Sequence, residues 1–128
     1  MAAYFSFQQE APDGELHEFV FKLVQDDKIL EARRILADHS ASKVHVLGTI
    51  VQSRARYNPA WSFHLEPESI SFFELAAEVC DANVTYVEKH LSEVGGAFLP
   101  GDAWCPWSSR LNAEVSALID PTTEVLKR

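Results

Sequence analysis

The sequence predicts an α+β fold, in which an antiparallel sheet of about four to five strands packs against two or three helices. Three observations support this class. Segments rich in aromatic and β-branched residues, typical of strands, alternate with segments whose apolar residues recur at helical spacing. The chain has 128 residues, a usual size for one hydrophobic core, and 47% of them are hydrophobic. We therefore expect a single α+β domain spanning residues 1–128.

The first part of the sequence predicts a hairpin followed by a helix. Residues 4–7 and 16–24 are rich in strand-forming side chains, and the Pro-Asp-Gly sequence between them is typical of a turn. Asp26 or Asp27 can cap the next segment, where apolar residues follow helical spacing. We expect a helix over residues 27–38.

The middle of the sequence predicts further strands and contains one ambiguous segment. Residues 43–53 form a β-rich run, in which Gly48 marks a bulge or a close approach of another segment. Residues 61–65 resume strand character, and residues 66–69 make a tight turn. In residues 70–79, a capping-box pattern favours a helix, whereas the short distance from the preceding strand favours a hairpin. We predict strand for this segment.

The last third of the sequence predicts two helices separated by a loop. Apolar residues repeat every three to four positions over residues 84–94, Asp81 or Asn83 can cap this segment, and a Gly-Gly pair follows it. Residues 97–107 form a loop with large apolar side chains, which must lie against the body of the domain. A final helix is predicted after residue 108, ended by Pro121. Its apolar positions are Leu111, Val115, Leu118 and Ile119.

The charge balance excludes two classes of partner. The formal net charge is -8 at pH 7, with 11 basic and 19 acidic residues. Nonspecific binding to nucleic acids and to anionic lipid depends on clustered lysine and arginine, so we expect neither a nucleic acid nor a membrane as partner. The N-terminus lacks the basic start and apolar run of a signal peptide, so we expect the chain, as given, in the cytoplasm.

No complete catalytic or metal-binding motif is found in the sequence. The five histidines form no HxH, HxxxH or HExxH pattern, and the cysteines lack CxxC spacing, so we predict no metal and no cofactor. Cys80 and Cys105 could form one disulfide or stay reduced, and their apolar surroundings favour reduced thiols. We predict that the protein is not an enzyme. The alternative is an uncatalogued active site built from Cys105 or from His45 and His64, which could face each other across neighbouring strands.

The connection at residues 54–60 is the candidate binding site. It contains two arginines and a tyrosine where small polar residues would suffice to join two strands. Arginine, tyrosine and tryptophan are favoured in protein interfaces, and a proline lowers the entropy cost of binding. The alternative is a plain connection whose tyrosine packs inward and whose arginines are merely solvated. The predicted partner-binding residues are Arg54, Arg56, Tyr57, Asn58, Pro59 and Trp61.

Several motifs resemble those of a known family. They are NPAWSFHL at 58–65, YVE at 86–88, GGAFLPG at 95–101 and WCPW at 104–107. Together they resemble the N-terminal domain of the slime-mould calmodulin-binding protein family, over nearly the whole sequence. The resemblance implies kinship and a shared fold more than one function. Calmodulin targets are normally basic amphipathic helices, whereas the helix predicted at 84–94 carries more acidic than basic residues.

These observations lead us to expect a non-enzymatic protein-binding module. Its first version is a reversible inhibitor of a serine peptidase, acting through the 54–60 loop. The alternatives are a calmodulin-type interaction domain and a carbohydrate-binding domain that uses exposed parts of Trp61, Trp104 and Trp107. Tryptophans are more often core residues in a protein of this size. The sequence leaves the oligomeric state open.

Overall fold

An N-terminal hairpin and a strand from the other end of the sequence form the first sheet. The computed structural model describes residues 2–10, 14–38, 44–73, 82–106 and 109–127. Strand β1 (Ala3–Glu10) pairs antiparallel with β2 (Leu16–Leu23), which confirms the predicted hairpin. Strand β9 (Arg110–Glu114) pairs antiparallel with the other edge of β1, so the order is β2-β1-β9.

This first sheet is buried on both faces. Since side chains alternate along a strand, β1 and β2 send one set of residues to each face. The main core receives Ala3, Phe5, Phe7, Phe19, Phe21 and Leu23. A second, smaller cluster contains Tyr4, Val20, Ala55, Tyr57, Val115 and Ile119. Burial on both sides explains why the hydrophobic alternation of these strands is incomplete.

Helix α1 (Asp26–Ala37) confirms the helix predicted over residues 27–38. It buries Ile29 and Ala32 in the main core. The N-cap is Gln25 rather than one of the predicted aspartates, which lie in the first turn, where their negative charges suit the helix dipole. The guanidinium of Arg33 donates two hydrogen bonds of 2.9 Å to the carboxylate of Glu114, and this pair connects α1 to β9.

The second sheet is organised around β3 (His45–Val51). It pairs antiparallel with three short strands: β4 (His64–Leu65), β5 (Ser71–Phe73) and β8 (Ala103–Trp104). The strand predicted over 61–65 is therefore limited to its last two residues. The predicted turn at 66–69 is a 3₁₀ turn, and the strand predicted over 70–79 is confirmed for Ser71–Phe73, whereas residues 74–79 lie outside the described part of the protein.

Gly48 lies at a close approach, as predicted. A Cβ atom added there would meet side-chain atoms of Leu65, Ser69 and Ile70, each at 3.3 Å. A glycine at this position lets the turn after β4 pack directly on β3.

The predicted helix at 84–94 is shorter than expected. Helix α2 spans Val84–Lys89 and is followed by a 3₁₀ turn at Leu91–Glu93. Its N-cap is Asn83, whose side-chain oxygen accepts a 2.9 Å hydrogen bond from the N–H of Tyr86. Strand β6 (Val94–Gly95) then pairs in parallel with β7 (Phe98–Pro100), inside the stretch that was predicted as a loop.

The predicted fold class is wrong. The structure is mostly β, with 39% strand and 25% helix, and has several sheets rather than one sheet against two or three helices. In the described residues, only α1 reaches seven residues. The predicted final helix is replaced by β9 and a 3₁₀ turn at Ser116–Leu118. The physical reason is that Leu111 enters the main core while Val115 enters the second cluster, so the two residues are needed on different sides of the backbone.

Trp104 connects the two sheets at the centre of the main core. It is fully buried, and its ring centroid lies 5.4–5.8 Å from those of Phe7, Phe19 and Phe63, all in edge-on geometry. Such edge-on aromatic pairs are favourable beyond the area that they bury. None of the helices in the described ranges is long and apolar enough to cross a membrane.

Candidate functional site

The 54–60 loop connects β3 to the segment that leads into β4, and Asn58 holds it in place. Asn58 is 2% exposed. Its side-chain oxygen accepts a hydrogen bond from the N–H of Val20 at 2.9 Å, and its side-chain nitrogen donates to the carbonyl of Phe63 at 3.2 Å. Its own N–H donates to the carbonyl of Ala55 at 3.0 Å, which closes a turn. The loop is thereby bonded to β2 and to the segment that follows it.

The far end of the loop is held by two further residues. The indole N–H of Trp61, a residue that is 8% exposed, donates to the carbonyl of Glu18 at 2.9 Å. The carboxylate of Glu88 accepts hydrogen bonds from the N–H and the hydroxyl of Ser62, at 2.8 and 2.6 Å. The loop is therefore connected to α2 as well as to β2, and its conformation is set by the rest of the domain.

Tyr57 packs inward from the loop. It is 6% exposed, and its ring centroid lies 5.3 Å from that of Tyr4 in the second cluster. Burial raises the pKa of the Tyr57 hydroxyl to about 12, with further contributions from the negative charges of Glu124 and Glu66. Of the six residues predicted to bind a partner, Tyr57, Asn58 and Trp61 are therefore buried parts of the framework and do not form an exposed contact surface.

Arg54, Arg56 and Pro59 form the exposed part of the predicted site. The guanidinium of Arg54 donates to the carbonyl of Pro59 and, at 3.4 Å, to the hydroxyl of Ser62, so it closes the loop on itself. The guanidinium of Arg56 has one long contact, 3.5 Å from the carbonyl of Thr123. Within the residues that the structure describes, neither arginine takes part in an ion pair.

Residues 119–127, which we call the C-terminal segment, fold over the loop. The N–H of Leu126 donates to the carbonyl of Arg56 at 3.3 Å. One carboxylate oxygen of Glu124 accepts hydrogen bonds from the ammonium group of Lys22 at 2.6 Å and from the hydroxyl of Tyr4 at 2.5 Å. These two bonds, that from Lys22 foremost, lower the pKa of the Glu124 carboxyl, while burial and this carboxylate raise the pKa of the Tyr4 hydroxyl. The segment is thus fastened to both β1 and β2.

A cavity of about 430 Å³ lies where the loop meets the C-terminal segment. Its walls combine two cationic side chains, a carboxylate, an imidazole, three hydroxyl groups and two apolar residues. They are Lys22, Ala55, Arg56, Tyr57, His64, Pro67, Thr122, Thr123 and Glu124. Most of these residues were not predicted as site residues. No local motif identifies them, because they come from segments that are distant in the sequence.

The structure separates the groups considered for catalysis. His45 lies opposite Phe73 and His64 lies opposite Val51, so the two histidines do not face each other. Cys105 is disulfide-bonded, so the prediction of a reduced thiol is wrong for this residue. Cys80 lies outside the described residues. In the described ranges, no three His, Cys, Asp or Glu side chains are grouped so that they could hold a metal ion.

The sequence and the fold were compared with known families, proteins and structures. Residues 1–118 match the family model of the N-terminal domain of the calmodulin-binding protein family. No curated protein and no solved structure matches. The family match includes the whole 54–60 loop and ends just before the C-terminal segment that carries Glu124.

Proposed function

The protein belongs to the family defined by the N-terminal domain of the calmodulin-binding proteins, as the sequence motifs had indicated, and we propose that it is a non-enzymatic protein-binding module. The proposal rests on one observation: the 54–60 loop is held by buried hydrogen bonds of Asn58 while Arg54, Arg56 and Pro59 stay exposed. A loop that is already ordered loses little conformational entropy on binding. Arginine is also among the residues that contribute most to protein interfaces.

Arg56 is the more suitable contact residue of the two exposed arginines. The guanidinium of Arg54 is used inside the loop, whereas that of Arg56 has only its long contact with Thr123. A guanidinium pairs with a carboxylate through two parallel hydrogen bonds. The partner surface that fits this loop is therefore acidic.

The first partner class that we propose is a serine peptidase, which the protein would inhibit reversibly. The carbonyl of Arg56 already accepts a hydrogen bond from Leu126. The loop would therefore bind through its side chains, and it would not present the Arg56 peptide bond for nucleophilic attack. This mode blocks access to the peptidase without a covalent step.

Inhibition assays test the peptidase version. Trypsin-like, chymotrypsin-like and subtilisin-like peptidases are assayed with micromolar protein, and we expect inhibition of at least one class. Arg56→Gln should raise the inhibition constant about tenfold, since it removes one charge-assisted contact. Arg34→Gln, which removes the same charge from an exposed position on α1, is the matched control. Absence of inhibition in all three classes would contradict a peptidase partner.

The wider proposal, a protein-binding module, is tested by affinity capture from the source organism. Recovery of the partner should fall when Arg54 and Arg56 are replaced by glutamine, and should persist with Arg34→Gln. A partner captured equally well by all these variants would show that the loop is not the binding surface.

The alternatives predicted from the sequence have less support from the geometry. Trp61 and Trp104 are 8% and 0% exposed, so neither offers a free face to a sugar ring. Calmodulin binds the apolar face of a target helix, and α1 buries Ile29 and Ala32 of that face in the core.

A further inference from the structure

The charges around the cavity beside the loop leave one cation without a direct carboxylate contact. Lys22 is paired with Glu124 at 2.6 Å. The same carboxylate oxygen also accepts the hydroxyl hydrogen of Tyr4, so its negative charge is compensated. Arg56 lines the same cavity and has no ion pair within the described ranges, and its charge is the smallest of the influences that lower the pKa of Glu124. The cavity therefore has about one uncompensated positive charge, in a protein whose formal net charge is -8.

Tyr57 supplies a second polar group to this cavity. It is 6% exposed, and its hydroxyl has no hydrogen-bond partner among the residues that the structure describes. A phenol that is mostly buried normally finds a partner for its hydroxyl. The raised pKa keeps this hydroxyl protonated at neutral pH, so that it can donate a hydrogen bond. An acceptor group brought by a ligand would complete it.

Hydroxyl groups extend the polar wall opposite the loop. Thr122 and Thr123 of the C-terminal segment both line the cavity. The hydroxyl of Thr123 accepts a hydrogen bond from the N–H of Val125 at 3.3 Å, which leaves its own hydrogen available for donation. The cavity thus combines one free guanidinium with several O–H donors, the set of groups that a planar anion requires.

We propose that this cavity binds a carboxylate of the partner protein, either that of an Asp or Glu residue or the free carboxylate at the partner's C-terminus. The carboxylate would pair with the guanidinium of Arg56 and accept the hydrogen of the Tyr57 hydroxyl. The inference rests on the proposed protein-binding function and gives the chemistry of the group that the partner must present.

The test uses the full ¹⁵N-labelled protein and two small probes in an NMR titration. N-acetylglutamate carries a carboxylate at the end of its side chain, and N-acetylglutamine is its amide analogue; both are used as their α-amides, so that this terminal group is the only difference. We expect saturable shift changes at residues 55–57, 64 and 122–124 with the first probe and not with the second. A short peptide that ends in a free carboxylate, compared with its C-terminal amide, tests the other source.

Two variants and a control assign the binding to the proposed groups. Arg56→Gln should weaken the binding of the carboxylate about tenfold, since it removes the charge-assisted pair. Tyr57→Phe keeps the buried ring and should weaken binding about threefold, the value of one hydrogen bond. Arg54→Gln, outside the cavity wall, should leave the affinity unchanged.

Equal shifts with the amide probe, or unchanged affinity in Arg56→Gln, would overturn the carboxylate site. The proposed function is distinguishable from it. If arginine replacements release the captured partner but no carboxylate probe binds, the loop is the interface and the cavity is not a carboxylate site. If the probe binds but no partner depends on the loop, the cavity binds carboxylates and the protein-binding function fails.

Discussion

The side-chain oxygen of Asn58 accepts a hydrogen bond from the N–H of Val20 at 2.9 Å, across 38 positions of the sequence. Both residues are buried, and the bond joins the 54–60 loop to β2 of the other sheet. The carbonyl of Phe63 is satisfied by the same side chain. One amide group therefore satisfies two backbone groups that would otherwise be buried without partners.

Replacing Asn58 by alanine should destabilise the protein by about 2–4 kcal/mol, since each backbone group left unpaired costs about 1–3 kcal/mol. The measurement is the urea dependence of unfolding. Asn112→Ala, at an exposed position in β9, is the matched control and should change stability by less than about 0.5 kcal/mol. Equal effects of the two substitutions would show that the Asn58 bonds do not hold the loop.

The carboxylate of Glu124 should make stability depend on pH in the acid range. Its pKa in the folded state is lowered, first by the hydrogen bond from Lys22 and then by that from Tyr4. Its contribution is therefore complete above the unfolded-state pKa of about 4.3 and is lost as pH falls through the lowered folded-state pKa. Because its side chain is 38% exposed, we expect a contribution of about 1 kcal/mol or less.

Glu124→Gln removes this contribution, so the variant should be less stable than the parent protein at pH 7. The difference should close as pH falls through the lowered pKa, and urea midpoints measured from pH 7 to about pH 2 follow it. Asp120 needs no change in this experiment, because both proteins retain it. A constant difference over the whole range would mean that the charge of Glu124 does not matter.

The disulfide at Cys105 predicts sensitivity to reductant. Cross-links of this kind stabilise small domains by about 2–4 kcal/mol, mainly by restricting the unfolded state. Cys105→Ser should therefore lower the melting temperature, and reductant should lower that of the parent protein to a similar value without affecting the variant. A parent protein that melts at the same temperature with and without reductant, after mass spectrometry shows full reduction, would contradict this expectation.

The bonded state of Cys105 also bears on the cellular compartment. Disulfides persist in oxidising compartments and are rare in the cytosol. The bonded cysteine is therefore in conflict with the expectation of a cytoplasmic protein, and the redox state of Cys105 in cells decides between them.

Local sequence patterns predicted those elements whose stability is mostly local. The hairpin of β1 and β2 and helix α1 have strong signals of strand and helix, and both are found. The final helix was predicted wrongly because Leu111 and Val115 have helical spacing, whereas pairing with β1 places them in different clusters. Tertiary pairing of this kind overrides local spacing and cannot be read from one segment.

The site shows the same division. The position of the loop was predictable from its arginines and tyrosine, but the inward orientation of Tyr57 and Trp61 depends on contacts with β1 and β2. The contact between Lys22 and Glu124 joins residues 102 positions apart, so no local motif could indicate it. The exposed surface of the loop is therefore smaller than predicted, and the cavity beside it was not predicted.

Gly48 provides the last prediction, because the sequence and the structure both mark it as a close approach. An alanine Cβ would lie 3.3 Å from three side-chain atoms, including the hydroxyl oxygen of Ser69. That hydroxyl cannot move away freely, since it donates to the carbonyl of Glu66 at 2.6 Å and accepts from the N–H of Thr49 at 2.9 Å. Overpacking of this kind costs about 1–3 kcal/mol, more than the gain of about 0.4–1 kcal/mol from a less flexible unfolded state. We expect Gly48→Ala to destabilise by about 1–2 kcal/mol in urea unfolding. The double variant Gly48→Ala with Ser69→Gly should recover part of the packing loss, so a single variant as stable as the parent would show that β3 and the turn can separate without cost.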